Sequence, residues 1–315
     1  MKNSGFAAVL HSGWYLAAVT TELTDPITPL AIGDRRMMIV RPADERPRVY
    51  RSVCPHRGAN LAYGGTLARA GVICPFHGKA IALGGRDDDR LAVAELPSFV
   101  AGPALFVALD PDVLDDNGFR DEISSLAGTH QLFPCPAAQM PISQELVIEN
   151  AFDLDHFIQV HRIPRVTAMQ YGRTASGAAF CEARFRVRMP AWDGGGDAVV
   201  ENRFHATAFS PSIVMSQLGD PASGQTVITA VAPTEGGCSI RVINAVRPGA
   251  GGVVPEQAIA ALTDGARKAL EQDRPVWTHL DPDMEPRFDP RDEAVLLFRQ
   301  FCGEFLDLGP ARVLC

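Results

Sequence analysis

The chain has 315 residues, of which 46% are hydrophobic and 21% are charged, and these values are typical of a globular protein with one large or two ordinary domains. The formal net charge is −8 and there is no basic run, so we expect no nucleic-acid partner. No stretch approaches 18 consecutive apolar residues, which argues against a membrane span.

Two further features bear on the cellular compartment. The apolar run near the N-terminus is interrupted by His11 and is too short for the core of a signal peptide. Seven cysteines is an odd number, and five of them have no paired spacing: Cys135, Cys181, Cys238, Cys302 and Cys315. We therefore expect a cytoplasmic protein whose thiols are reduced and mostly buried.

The N-terminal part, from about residue 14 to 110, reads as short strands. Apolar runs such as Met37–Val40 alternate with turn signals such as Gly64-Gly65, which predicts an all-β module. An acidic stretch and a proline-spaced connector over 133–141 follow the module. We place a domain boundary near residue 135 and predict two domains, 1–135 and 136–315.

Two short motifs within this module each offer one thiolate and one imidazole. They are Cys54-Pro55-His56 and Cys74-Pro75-Phe76-His77, with 17 residues between them. Two cysteines and two histidines suit either zinc or a two-iron cluster with both histidines on one iron. Zinc fingers usually keep the cysteines in one half of the motif and the histidines in the other, whereas each half here is mixed. The arrangement favours a [2Fe–2S] cluster of raised reduction potential. The alternative is a zinc-stabilised ligand-binding protein, which the colour of the purified protein and an EPR signal of its reduced state would exclude.

The sequence around these motifs resembles the Rieske iron–sulfur domain. The resemblance covers Cys54-Pro-His-Arg-Gly-Ala-Asn-Leu and Cys74-Pro-Phe-His-Gly, and the lead-in with Trp14-Tyr15 resembles the start of oxygenase alpha subunits. It implies that one Rieske [2Fe–2S] cluster is bound by four residues: Cys54, His56, Cys74 and His77.

The second half of the chain reads as an antiparallel sheet flanked by helices. Residues 180–189 alternate between apolar and charged side chains, which predicts a half-buried strand. Further strands are predicted at 198–208, 212–218, 225–232 and 238–246, and helices at 143–161, 255–278 and 291–306. The predicted fold class is therefore α+β, with an all-β module followed by a helix-flanked antiparallel-sheet domain.

The first of these helices contains a second candidate metal motif. Asp153, His156 and His161 could supply part of a two-histidine, one-carboxylate site, which leaves positions on ferrous iron open for O2. Positions 156 and 161 lie about 140° apart on a regular helix, so they cannot both face one metal. We predict that the helix carries a π-bulge there or that His161 lies beyond its end, before Pro164.

The pattern Asn150-x-x-Asp153-x-x-His156-x4-His161 resembles the mononuclear iron motif of Rieske non-heme iron oxygenases. The resemblance implies that His156 and His161 bind Fe(II). It also implies that Asp153 is a bridging carboxylate, which joins an iron-ligand histidine to a cluster-ligand histidine of a neighbouring subunit. A carboxylate between two imidazoles fixes their tautomers.

The third iron ligand is predicted to be Asp273. This residue falls on the apolar stripe of the helix at 255–278, where an unpaired carboxylate would be costly, whereas Asp264 and Glu271 fall on the opposite side. Gln272-Asp273-x-x-Val276-Trp277 also resembles the family's late motif that carries the third ligand. The alternative is an aspartate paired with an internal arginine.

These features together predict a terminal oxygenase with two metal centres. The chain has no flavin or nicotinamide motif, so NAD(P)H electrons would come through a separate reductase or ferredoxin, with O2 as co-substrate. The resemblance implies a head-to-tail homotrimer. We favour monooxygenation of a small organic substrate, by hydroxylation or oxidative dealkylation. Arene cis-dihydroxylation is the alternative, and a Rieske electron-transfer protein without catalytic iron is a rival of another class.

Overall fold

The computed structural model describes residues 9–310, except 44, 70, 86–89, 111–115, 164, 190–197, 220–223, 250 and 282–283. Short strands in small sheets form the first part of the chain, and one large antiparallel sheet with helices forms the second. The predicted α+β fold class is therefore confirmed.

Twelve strands are described in the first part: β1 Val9–His11, β2 Trp14–Val19, β3 Ile27–Ile32, β4 Arg35–Val40, β5 Arg48–Arg51, β6 Thr66–Ala68, β7 Gly71–Ile73, β8 Ala80–Leu83, β9 Ala92–Val93, β10 Glu95–Leu96, β11 Ser98–Ala101 and β12 Ala104–Ala108. They form three small sheets, in the orders β10-β5-β4-β3, β11-β12-β2 and β6-β7-β8-β9. β1 pairs instead with β21, Asp307–Pro310, so the two ends of the described chain meet.

Strand β4 shows why this module needs an uninterrupted apolar run. Its side chains alternate between two hydrophobic clusters: Met37 and Ile39 enter one, whereas Met38 and Val40 enter the other. All four are at most 2% exposed. Because neighbouring residues of a strand point to opposite faces, a strand buried on both faces is apolar throughout.

The described residues of the second part form five α-helices and eight strands that pair in one sheet. The helices are α1 Phe119–Thr129, α2 Gln144–Glu149, α3 Leu154–Gln159, α4 Glu256–Thr278 and α5 Glu293–Cys302. The strands are β13 Gln131–Pro134, β14 Ala138–Met140, β15 Arg165–Arg173, β16 Ala179–Met189, β17 Ala198–Ser210, β18 Ile213–Leu218, β19 Gln225–Thr234 and β20 Gly237–Val246. The order is β13-β20-β19-β18-β17-β16-β15, and β14 also pairs with β20.

Strand β16 confirms the alternation predicted for residues 180–189 as far as Phe185, and the side chains beyond it lie outside the described part. Cys181, Ala183 and Phe185 are at most 3% exposed. On the opposite face Glu182 and Arg184 form ion pairs across to β17. An antiparallel sheet with one face on the core and one toward solvent gives this pattern.

The chain between 119 and 161 differs from the expectations in three places. The single helix predicted at 143–161 consists of α2, a 3-10 turn at Asn150–Phe152 and α3. The connector predicted over 133–141 contributes β13 and β14, which extend the large sheet along β20. Helix α1 was not predicted. The boundary proposed near residue 135 stays a prediction, and it falls between β13 and β14.

Other features of the described residues bear on the expectations above. No helix there is long and apolar enough to cross a membrane. The six cysteines in the described chain are not joined by disulfides, and Cys315 lies outside it. Helix α4 lies against β14 and β20, so its apolar stripe faces the large sheet.

Candidate metal centres

The two Cys-His motifs lie in two loops with the same backbone hydrogen bonds. In the first Cys-His loop, between β5 and β6, Cys54 N donates to Ala59 O and Gly58 N donates to Cys54 O. In the second, between β7 and β8, Cys74 N donates to Lys79 O and Gly78 N donates to Cys74 O. Each loop closes through a glycine in the left-handed region, with φ of 76° and 65° respectively. The two Cys-His motifs therefore form the same type of turn, each closed by its own glycine.

Both sulfur atoms lie inside these turns and point toward one another. Cys54 and Cys74 are each 2% exposed. Each sulfur accepts backbone N–H groups of its own loop, and the two sulfurs are within hydrogen-bonding reach of each other. Burial acts to raise the pKa of the Cys74 thiol, but the amides of Phe76 and His77 and the neighbouring sulfur outweigh it and lower the pKa. Amide donors favour the thiolate, which is the form that binds metals.

The imidazoles of the two loops complete the group. The ring centroids of His56 and His77 are 4.8 Å apart, with an angle of 84° between the rings. Burial, followed by the charge of Lys79, lowers the pKa of His56 and favours the neutral ring. His56 Nδ1 is buried and has no hydrogen-bond partner within the described residues. An unsatisfied nitrogen in a loop that also carries a buried cysteine sulfur fits a Rieske cluster ligand, so the residues present suit the group.

The second site begins at the break between α2 and α3. Asp153 has extended backbone angles, and its Oδ1 accepts the His156 N–H at 3.1 Å, which caps α3. Helix α3 ends at Gln159, and Ile163 N donates back to Phe157 O at 3.1 Å. His161 therefore lies beyond the end of the helix, as predicted, and the arrangement does not need a π-bulge.

Three side chains meet at this point of the structure. His156 Nε2 lies 2.7 Å from Asp273 Oδ1, and His161 Nε2 lies 3.6 Å from the same oxygen. One ligand atom from each of the three lies within 4.8 Å of the others. Asp273 is 6% exposed and sits on the inner face of α4. The carboxylate of Asp273 contacts two imidazoles. This contact favours the prediction of a metal ligand over the alternative of an aspartate paired with an internal arginine.

The three converging groups fit an iron site of the facial-triad type. Two neutral nitrogens and one carboxylate oxygen are the donor set of non-heme ferrous oxygenases. A buried carboxylate between two imidazoles also needs a cation or a proton, because an unpaired buried charge is costly. The geometry therefore supports a mononuclear iron at this position.

Two neighbouring amides contact the histidines, and no role was predicted for either of them. Gln272 Oε1 lies 2.9 Å from His161 Nδ1, and Asn150 Nδ2 lies 3.2 Å from His156 Nε2. The Gln272 contact makes His161 Nδ1 the protonated nitrogen and leaves Nε2 to face Asp273. Both residues belong to the motifs that resemble the family, Asn150 at the start of the first and Gln272 directly before Asp273, and that membership was the available signal.

Helix α5 packs against the segment that precedes the two histidines. Arg299 donates to both oxygens of Glu149 at 2.6 and 3.0 Å, at the end of α2. Phe298 stacks on Phe152 with ring centroids 4.9 Å apart. Burial raises the pKa of Glu149, whereas the Arg299 guanidinium lowers it, and the net direction is upward. This brace connects the break before α3 to the hydrophobic core.

A cavity of about 1240 Å³ opens beside the three converging side chains. It lies between α4 and the large sheet, and His156, His161 and Asp273 form part of its wall. Small-molecule sites usually measure about 300–1,000 Å³, so this cavity is large enough for an organic substrate next to the metal.

Two family models match the chain. Residues 13–100 match the model described as "Rieske [2Fe-2S] domain". Residues 118–306, more than half of the chain, match the model described as "3-Ketosteroid 9alpha-hydroxylase C-terminal domain". The first match contains both Cys-His loops, and the second contains the three converging side chains.

Several known proteins of similar sequence or fold are oxygenases. The chain is 23% identical over 340 aligned positions to aminopyrrolnitrin oxygenase PrnD of Pseudomonas fluorescens, with 95% of this chain and 92% of the relative covered. It is 28% identical over 170 positions to the oxygenase component of dicamba O-demethylase of Stenotrophomonas maltophilia, and the alignment covers 49% of this chain and 48% of the relative. The structure of dicamba monooxygenase bound to 3,6-dichlorosalicylic acid matches with a TM-score of 0.74 and 18% identity, and the match covers 95% of this chain and 98% of that structure. The structure of NdmA of Pseudomonas putida CBB5 matches with a TM-score of 0.65 and 16% identity, and the match covers 93% of this chain and 89% of NdmA.

Proposed function

The chain belongs to the Rieske-type non-heme iron oxygenases, and from this premise we propose the residues that hold its two metal centres. Cys54, His56, Cys74 and His77 bind the [2Fe–2S] cluster. His156, His161 and Asp273 bind the mononuclear iron. The observation that carries the second assignment is the convergence of three ligand atoms within 4.8 Å on the inner face of α4.

The protein is an oxygenase component that receives electrons from a partner and monooxygenates an organic substrate. When bound, the cluster supplies single electrons and the iron activates O2. The overall reaction places one oxygen atom in a substrate C–H bond and releases the other as water, with two electrons and two protons consumed. The chain's own contribution is to fix the imidazoles, through Gln272 at His161 and through the Asp153 cap at α3, and to seat the substrate in the adjoining cavity.

We assign Asp153 as the residue that links the two kinds of site between subunits of a head-to-tail homotrimer. Its Oδ1 caps α3 beside His156, and His156 Nδ1 is buried without a hydrogen-bond partner in the described part of the chain. On the cluster side, Phe76 and Tyr63 are 60% and 66% exposed. Exposed aromatic side chains around the Cys-His loops support a surface that another copy covers.

The electron donor is a reductase or a ferredoxin with an acidic docking face. Residues 35–79 contain nine basic residues and two acidic ones, in a chain whose net charge is −8: Arg35, Arg36, Arg41, Arg46, Arg48, Arg51, Arg57, Arg69 and Lys79 against Asp44 and Glu45. This local excess of positive charge in the cluster-binding segment would attract such a donor and raise its association rate. The six cysteines within the described residues are free, which is consistent with the cytoplasm, where we place the protein.

The test is a turnover assay with NADH, a generic reductase and a panel of organic substrates, in which product and hydrogen peroxide are both measured. The wild-type protein should form product that depends on O2. His156→Ala should abolish product while the cluster keeps its visible and EPR spectra, because the two sites use different residues. Loss of product together with loss of the cluster signal would contradict the assignment of His156 to a separate iron site.

A further inference from the structure

The sulfurs and the imidazoles of the two Cys-His loops lie in different surroundings. Cys54 and Cys74 are each 2% exposed and belong to a hydrophobic cluster of the first part of the chain. His56 is half-buried and His77 is exposed. The sulfurs are therefore packed among apolar side chains, whereas the imidazoles border on water and on any charge that lies at the surface.

Two cations border the imidazoles. Arg57 directly follows His56, and Lys79 is the second residue after His77. Lys79 O accepts the N–H of Cys74 at 2.8 Å, so the turn of the second loop fixes the backbone of Lys79. Burial is the largest cause that lowers the pKa of His56, and the positive charges of Lys79 and Arg57 act in the same direction. The electrostatic field of both cations thus reaches the ring of this proposed cluster ligand.

A contact that crosses from the first loop to the second holds the guanidinium of Arg57. Its Cζ lies 5.8 Å from the centre of the Phe76 ring, within the range of a cation–π interaction. The Phe76 ring in turn packs on His77, with ring centroids 3.8 Å apart. The charge of Arg57, which belongs to the first loop, is therefore kept near the histidine of the second.

These two cations have no acidic partner. Residues 46–86 include both loops and contain neither aspartate nor glutamate. Within the described part of the chain, neither Arg57 nor Lys79 forms an ion pair, whereas Arg48 of the same module pairs with Glu95. Lys79 is half-buried, so water and salt screen its charge less than they screen a fully exposed one.

Unpaired positive charge beside a redox centre has a definite electrostatic consequence. Taking up one electron makes the cluster and its ligands more negative by one charge. A fixed cation nearby stabilises this reduced form more than the oxidised form, and it therefore raises the reduction potential. Because Coulomb energy falls with distance and with screening, cations next to the ligands act more strongly than cations elsewhere on the surface.

We propose that Arg57 and Lys79 raise the reduction potential of the cluster by stabilising its reduced form with their positive charge. Phe76 is a positioning residue that keeps Arg57 near His77. The raised potential increases the driving force for the transfer of one electron, in which the donor protein is oxidised and the cluster is reduced. This inference rests on the proposed cluster ligands, and the role that it assigns to the two cations does not require contact with the donor.

The test is a redox titration of the purified protein with its cluster, at neutral pH and with no reductase protein or substrate present. Dithionite supplies the electron through dye mediators, and the EPR signal of the reduced cluster measures the reduced fraction at each potential. Lys79→Gln and Arg57→Gln should each make reduction about fivefold less favourable, which lowers the potential by about 40 mV at about 59 mV per tenfold change. The double variant should show about the sum of the two shifts.

Three further variants separate charge from packing and from net charge. Arg57→Lys keeps a cation in the first loop and should retain the wild-type potential. Phe76→Leu keeps both charges but no longer holds Arg57, so it should lower the potential by less than Arg57→Gln does. Arg69→Gln removes a cation at the opposite end of β7 from Cys74 and should change the equilibrium by less than about 1.5-fold. Iron content and visible spectra verify that each variant holds its cluster.

An unchanged or higher potential in Lys79→Gln or in Arg57→Gln would overturn the proposal. So would an equal shift in Arg69→Gln, because it would show that only the net charge of the protein matters. Neither result would affect the proposed function, since the cluster signal and the mononuclear iron are measured separately. Absence of the Rieske signal from the wild-type protein would instead contradict the proposed cluster ligands.

Discussion

The two candidate metal centres of this chain are built in opposite ways. The Cys-His loops each close on themselves within six residues, through the same two backbone hydrogen bonds. The triad joins His156 to Asp273 across 117 residues of sequence. A site made by local turns depends on the backbone of those turns, whereas a site made by packing depends on how α3, α4 and α5 are held together. Damage to one should therefore leave the other intact.

The largest expected effect comes from removing the carboxylate of the triad. Asp273→Ala should lower product formation more than about a hundredfold, because losing a ligand costs more than losing a group that orients one. The cluster spectrum should not change. Product formation by purified protein with a reductase measures the effect, and Asp264→Ala, on the exposed face of α4, should retain wild-type activity. Equal losses in the two variants would mean that Asp273 acts only through the stability of α4.

Gln272 contacts the proposed ligand His161 but is not itself a proposed ligand, so it tests how packing orients the mononuclear iron site. Gln272→Ala should weaken Fe(II) binding about 10- to 100-fold, since the tautomer of His161 is then no longer fixed. Gln272→Glu keeps an acceptor at the same place and should restore most of the affinity. Metal titration of the iron-depleted protein measures both, with Glu271→Gln as the neighbouring control. Unchanged affinity in Gln272→Ala would show that the contact does not orient the ligand.

Arg299 tests the brace behind the triad and adds a pH dependence. Arg299→Met removes the partner of Glu149, which should lower the free energy of unfolding by about 2 kcal/mol at neutral pH. Burial raises the Glu149 pKa, so its folded form favours the proton, and removing the arginine strengthens this preference. Protonated Glu149 needs no cation, so the loss should shrink as pH falls toward 4.5 and grow as pH rises.

Chemical denaturation at several pH values measures this effect. Arg267→Met breaks an exposed pair with Asp264 and should change stability by less than about 0.5 kcal/mol at each pH. A destabilisation by Arg299→Met that is independent of pH would contradict the account of Glu149.

Gly78 tests the locally built site, with the smallest expected effect. A Cβ at this position meets nothing within 4 Å, so Gly78→Ala adds only the strain of a left-handed backbone, about 1 kcal/mol. The protein should hold its cluster less well while its Fe(II) site is unchanged. Cluster content after mild chelation measures this, and Gly128→Ala, in α1 and also without close neighbours, should retain the full cluster. Loss of the mononuclear iron in Gly78→Ala would mean that the two sites are not independent.

The same contrast explains which features could be predicted from the sequence. The Cys-His loops and the alternating strand β16 are local patterns, and each was predicted at its observed position. Regular helix geometry excluded a straight helix through His161 and left a π-bulge or a position beyond the helix end, and the second of these is observed. The break at Asn150–Phe152, the pairing of β13 and β14 with β20, and the amides of Gln272 and Asn150 depend on tertiary contacts, which no local pattern contains.

The most direct test of the two-centre account is the iron content of three purified proteins, measured together with the EPR spectrum of the reduced cluster. The wild-type chain should contain about three iron atoms, two in the cluster and one at the triad. Asp273→Ala should keep about two and an unchanged Rieske signal, whereas Cys74→Ala should lose the signal and keep about one. About two iron atoms in the wild type, or loss of the Rieske signal in Asp273→Ala, would contradict the account.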